Sequence, residues 1–196
     1  MSRIQKVLMT LLVIGVAGSL AGFGVFSAFS STTANTGNGF TAGTVSIGDN
    51  DGTTAMFNAV TGGKPGLQID RCIKVTYTGN LDADVKLYLS SGAAGSLSQY
   101  VDLTIQPVTF GSAPAFPSCT GAVNDGAALY TGTLASFRDT KNSYATGVTD
   151  YPGVAGTKWV NNDAVYYKFS YTVQDNNLAQ GLTTNTHDFT WEARNQ

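Results

Sequence analysis

Ala164–Gln174 reads "AVYYKFSYTVQ". Val165, Tyr167, Phe169, Tyr171 and Val173 alternate with Tyr166, Lys168, Ser170, Thr172 and Gln174. A period of two gives a strand one buried face and one wet face. "VKLYLS" repeats the pattern with Val85, Leu87 and Leu89 inward, and "YVDLTIQ" repeats it with Val101, Leu103 and Ile105. "DFTWEAR" does so with Phe189, Trp191 and Ala193. "LQIDRCIKVTYTG" alternates through Ile73, Val75 and Tyr77, but sets Arg71 in phase with them and Cys72 out of phase. A bulge near Arg71 would return Cys72 to the inside. "FTAGTVSI" (40–47) and "TAMFNAV" (54–60) read as further strands.

Turn-rich stretches separate these runs: "GDNDGTT", "TGGKPG", "SSGAAGS", "GSAPAFPSCTG" and "TGVTDYPGVAG". Two short pieces, "GTLASF" (132–137) and "NNLAQG" (176–181), suit helical turns. No helical period is sustained, no repeat of fixed length recurs and no linker divides the chain. The pattern predicts an all-β fold: an antiparallel, jelly-roll-like β-sandwich over residues 40–196, with one or two short helices.

The chain has 196 residues, 42% of them hydrophobic, which suits one domain with a sizeable core. Only 12% are charged, about half the usual share, and glycine reaches 23 residues. Thirteen acids against 11 bases leave no basic excess to meet nucleic acid. This balance fits an all-β protein that works outside the cell, and fits a helical cytosolic enzyme poorly.

The N-terminus points the same way. Arg3 and Lys6 precede a run from Val7 to Phe26 without charge. That is the layout of a secretory leader, with an apolar run longer than the roughly 7–15 residues such leaders carry. A span needs about 20 apolar residues, so a retained anchor also fits the length. Gly15, Gly18, Ser19, Gly22 and Gly24 weaken the run as a permanent span. Val25 and Ser27 place a signal-peptidase cut before Ala28. The expected division is a signal peptide over 1–27, a flexible arm over 28–39 and the sandwich over 40–196, with membrane contact only before cleavage.

Cys72 and Cys119 allow one intramolecular pairing, and an oxidising exterior favours the disulfide. The alternative, a catalytic thiol, needs a base, and the single histidine, His187, lies far off in sequence. His187, Asp188 and Glu192 are neighbours in sequence, but alternation turns His187 away from both acids. No His-Glu-x-x-His pair is present. "DNDG" (49–52) reads as a hairpin turn, with a weak surface calcium as the alternative. Tyr166, Tyr167, Phe169 and Tyr171 either fill the core or form a sugar-binding face. No catalytic constellation, metal site or cofactor is expected.

One stretch carries a resemblance. "GVFSAFSSTTANTGNGFTAGTVSI" (24–47) has a Gly-rich leader end, then Ala28-Phe29-Ser30, Asn38, Phe40 and Ala42-Gly43-Thr44. Lys64-Pro65-Gly66, "LYTGTLASF", "AQG" and the closing "FTWEA" follow. In these features the chain resembles the TasA/camelysin family of exported Gram-positive proteins. The resemblance implies a jelly-roll sandwich, processing by a signal peptidase of the SipW type, and a place in fibres of the biofilm matrix or on the cell surface. Some members carry a metallopeptidase label, and no zinc signature here can be carried over from them.

The arm gives that implication a physical form. Residues 28–39 carry no charge and little to bury, so they favour no fold of their own. Phe29, Thr32, Thr33 and nearby Phe40 suit a strand. Such a segment can add to the exposed sheet edge of a neighbour through main-chain hydrogen bonds. Head-to-tail addition does not close, so it builds a filament. A secreted adhesion module and a camelysin-like peptidase are the alternatives.

Overall fold

The computed structural model describes residues 2–12, 42–57, 63–149 and 158–195. The chain divides into two units, Met1–Thr41 and Ala42–Gln196. In the first, residues 3–12 are helical and exposed. Among the described residues no helix is long and apolar enough to cross a membrane. Ser27 and Ala28 of the expected cut, and Phe29, Thr32, Thr33 and Phe40 of the arm, lie outside the described residues.

The second unit is built of antiparallel strands. These are β1 (Ile47–Asp49), β2 (Gln68–Tyr77), β3 (Asp84–Gly92), β4 (Val101–Thr109), β5 (Val123–Asn124), β6 (Tyr130–Thr133), β7 (Val148–Thr149), β8 (Ala164–Val173) and β9 (His187–Arg194). The first sheet runs β1-β2-β8-β4, with β5 and β6 both pairing to the far side of β4. The second runs β7-β3-β9. The chain passes from the first sheet to the second at β2–β3, back at β3–β4, across and back through β7 between β6 and β8, and across again at β8–β9. The two antiparallel sheets make an all-β sandwich, the class of fold that the alternation predicts.

The alternating residues explain why the sheets face each other. Val165, Tyr167 and Phe169 of β8 are buried, as are Ile73, Val75 and Tyr77 of β2, Leu103 and Ile105 of β4, and Val85, Leu87 and Leu89 of β3. They form one cluster with Trp159 and Phe137. Phe169 meets Phe189 at 4.7 Å and Trp191 at 5.9 Å between ring centroids, which closes β8 onto β9. Fully burying one such aromatic or aliphatic side chain stabilises by roughly 1.5–3 kcal/mol.

Both short helical pieces form. A helix spans Leu134–Thr140, with the Thr133 hydroxyl accepting from the Ser136 amide at 3.1 Å as its N-cap. It buries Leu134, Ala135 and Phe137. A single 3-10 turn occupies Asn177–Ala179, and another, absent from the sequence reading, lies at Ser96–Tyr100.

Two expected strands are corrected. "TAMFNAV" is not a strand over residues 54–57, which are irregular and then a turn; the remainder lies outside the described residues. The cause is upstream: Gly52 and Thr53 both take positive φ, and the Thr54 amide closes on the Asp51 carbonyl at 3.0 Å. Likewise, only Ile47 of "FTAGTVSI" is in β1, and residues 42–46 are irregular.

Arg71 carries no bulge. β2 pairs with β8 in unbroken register from Gln68 to Thr76. Cys72 therefore stays in the outer phase, opposite Lys168, yet it is only 3% exposed. The segment between β4 and β5 reaches over to β2, where Cys119 is bonded to Cys72 with their Cα atoms 5.2 Å apart. The Cys72 amide also donates to the Pro117 carbonyl at 3.0 Å. Arg71 keeps its inward phase by giving its guanidinium to main-chain carbonyls, Met56 at 3.1 Å and Asp70 at 2.9 Å.

Candidate functional site

The residues singled out for chemistry do not converge. Among the described residues no group of three His, Cys, Asp or Glu side chains could hold a metal ion. Asp188 takes a hydrogen bond from the Ser91 hydroxyl at 2.6 Å, and Glu192 takes one from the Tyr88 phenol at 2.8 Å. "DNDG" is used in local turns: Asp49 accepts from the Asp51 amide and Asp51 from the Thr53 amide. Asn50 is tied to the edge of β2, its side chain accepting from the Lys74 amide at 2.8 Å. Of the four aromatics in the β8 run, Tyr167 and Phe169 are core residues, and Tyr171 stacks on Phe57 at 4.0 Å. Tyr166 alone faces outward, edge-on to Phe110 beside a cleft of about 240 Å3.

His187 opens β9, opposite Gly92 of β3. Gly92 has φ +83, and a Cβ there would lie 2.0 Å from the Thr186 carbonyl oxygen, so only glycine lets the two backbones approach. The imidazole Nδ1 faces the Asn185 carbonyl at 3.1 Å. A carbonyl only accepts, so Nδ1 carries the proton, and Nε2 receives the Tyr171 hydroxyl at 2.5 Å. Burial holds the imidazole pKa below its ordinary value, against the opposing pull of the Asn185 carbonyl and the Asp188 carboxylate. Burial also pushes the Tyr171 phenol up.

The unfolded chain therefore binds this proton more readily than the folded one. The stability at stake is present above the unfolded imidazole value, about 6.5, and is lost as the pH falls through the lower folded value. Acidification from about pH 7.5 to about pH 5.5 should lower the melting temperature. In His187→Gln the drop should be smaller, which a thermal scan at both pH values checks.

The feature that stands out is an edge. β9 is eight residues long and hydrogen-bonds to β3 on one side. Among the described residues nothing pairs with its other side; β1 comes near but bonds only to β2. The other outer strands, β1, β5, β6 and β7, have two to four residues each. Short edges are one way a sheet avoids unwanted pairing, and β9 lacks that protection.

The two faces of β9 differ. On the outer face Arg194 bonds Glu192 at 2.6 Å and lies over the Tyr144 ring at 4.1 Å. On the inner face Phe189, Trp191 and Ala193 are only half-buried, while the β3 residues beside them, Leu89, Leu87 and Val85, are at most 2% exposed. The core thins toward the unpaired edge. The indole N–H of Trp191 is shielded from solvent and has no acceptor among the described residues.

The arrangement can accept a strand: a free row of main-chain groups beside apolar side chains that are incompletely covered. Alternation found β9 itself and its inward row. It could not reveal which strand would be left at a long edge, because that depends on sheet order.

The sequence matches no protein-family model and no curated protein.

Proposed function

We propose that this chain is an exported structural subunit that assembles into extracellular filaments, the arm of one copy adding as a strand to β9 of the next. The observation that carries the reading is the eight-residue edge of β9, unpaired among the described residues, above its half-buried Phe189, Trp191 and Ala193. Among the described residues the β7-β3-β9 sheet has three strands, against six in the sheet it faces. A fourth strand beside β9 would complete the sandwich and cover that row.

The donor is residues 28–40, which are uncharged and carry Phe29, Thr32, Thr33 and Phe40. While the leader is attached, the same segment stays tethered beside the membrane, and a signal peptidase of the SipW type would free it by cutting between Ser27 and Ala28. The resemblance to the TasA/camelysin family and the disulfide between Cys72 and Cys119 agree with export to a matrix or cell surface. The chemistry needs no cofactor, and the partner is another copy of the chain.

Electron microscopy of purified chain beginning at Ala28 tests this. Filaments are expected, and a molar excess of a peptide comprising residues 28–40 should stop their growth by occupying the edge. A chain that stays monomeric at high concentration contradicts the reading and favours an adhesion module.

A further inference from the structure

We propose that the cleft beside Tyr166, on the outer face of the six-stranded sheet, binds one ring of a neutral hexopyranose belonging to an extracellular polysaccharide. The β9 edge lies in the other sheet and plays no part in this site. Register sets Lys74, Tyr166 and Val108 side by side across β2, β8 and β4. The Lys74 ammonium lies over the Tyr166 ring at 5.8 Å from the β2 side. On the β4 side the cleft, about 240 Å3, is lined by Val108, Thr109, Phe110 and Asp125. Val108 is buried, whereas Tyr166 and Phe110 are only half-buried. The cleft is also preformed. The Asp125 amide donates to the Pro107 carbonyl at 2.8 Å, β5 pairs with Val108 and Thr109, and the disulfide holds the segment between β4 and β5 against β2. Little ordering is left for a ligand to impose.

The chemistry of the lining selects the ligand. The volume falls below the roughly 300–1,000 Å3 of pockets that enclose a drug-sized molecule, so it takes a single ring. The Asp125 carboxylate, the Thr109 hydroxyl and the Tyr166 phenol have no hydrogen-bond partner among the described residues. A purely apolar ligand would strip water from that carboxylate and return no bond. An anion would meet the repulsion of Asp125. A cation would meet two ammonium groups, that of Lys74 and that of Lys168, which bonds Asn124 beside Asp125 at 3.1 Å. A neutral pyranose satisfies all three conditions. Its C–H face packs on the aromatic rings, and its hydroxyls donate to Asp125 in charge-assisted bonds.

Saturation-transfer difference titrations of the chain beginning at Ala28 test the site. The probes are neutral trisaccharides of glucose and of N-acetylglucosamine, with trimers of galacturonic acid and of glucosamine as charged comparisons. At least one neutral sugar should bind, and both charged trimers should bind more weakly. Tyr166→Ala should weaken binding about tenfold, the worth of a ring contact. Phe110 lies outside the strands, so Phe110→Ala provides the same reading if Tyr166→Ala fails to fold. Asp125→Asn, which keeps an accepting oxygen, should weaken binding less than Asp125→Ala does. No saturation transfer to any neutral sugar overturns the proposal, as does equal binding by the wild type and a folded ring variant. Binding of a charged trimer as tightly as the neutral ones overturns it too.

Discussion

Deleting residues 28–40 is expected to leave a folded monomer that makes no filaments at any concentration at which the full mature chain does. The sandwich unit, Ala42–Gln196, carries its own core and its own disulfide, so circular dichroism and the melting temperature should change little. Assembly should disappear because the donor is gone while β9 remains. Sedimentation velocity and electron microscopy on matched samples check both halves of the result. Adding the 28–40 peptide to the deleted chain should cap β9 without linking subunits, so it should raise the melting temperature and still give no filaments. Filaments from the deleted chain would show that some other surface joins the subunits.

The second large effect concerns the bond between Cys72 and Cys119. It closes a loop over a sequence separation of 47 residues, for which the chain-entropy estimate is about 4 kcal/mol. In a domain of this size that corresponds to a fall of about 10 °C in melting temperature. The double variant Cys72→Ser/Cys119→Ser avoids a stray thiol and is the clean comparison. Calorimetry should show the fall in the variant against the oxidised wild type, and adding reductant to the wild type should reproduce it. An unchanged melting temperature would mean that the hydrogen bond from Cys72 to Pro117 and the β5 pairing alone hold this segment against the sheet.

The fold was legible wherever side-chain periodicity alone decides it. Val165, Tyr167 and Phe169 announce β8 by alternation, and the same rule locates β3, β4 and β9 to within three residues at each end. It failed at residues 54–57, where apolar side chains sit in a turn set by the backbone of Gly52 and Thr53, which no alternation rule detects. It misled at Cys72 for a different reason. A buried residue was assumed to face the core, whereas a long-range bond brings a cover to the outer face. Periodicity identifies which residues are hidden, but not what hides them.

The edge was less legible still. Phe189, Trp191 and Ala193 read as core residues of an ordinary strand, and their phase is right. Their incomplete burial follows from β9 having β3 on one side and no strand on the other among the described residues, a property of sheet order rather than of the segment. The arm, in contrast, could be read directly as an uncharged stretch rich in Ser, Thr and Asn. The two halves of the proposed contact thus come from different kinds of observation: composition for the donor, topology for the acceptor.

Helical reconstruction of the filaments by electron cryomicroscopy tests the central claim most directly. The account predicts a continuous strand running beside β9, antiparallel or parallel, traced back to residues 28–40 of the adjacent subunit, with Trp191 covered by it. A β9 edge left open within the filament, or an arm folded back beside the β9 of its own subunit, would contradict it.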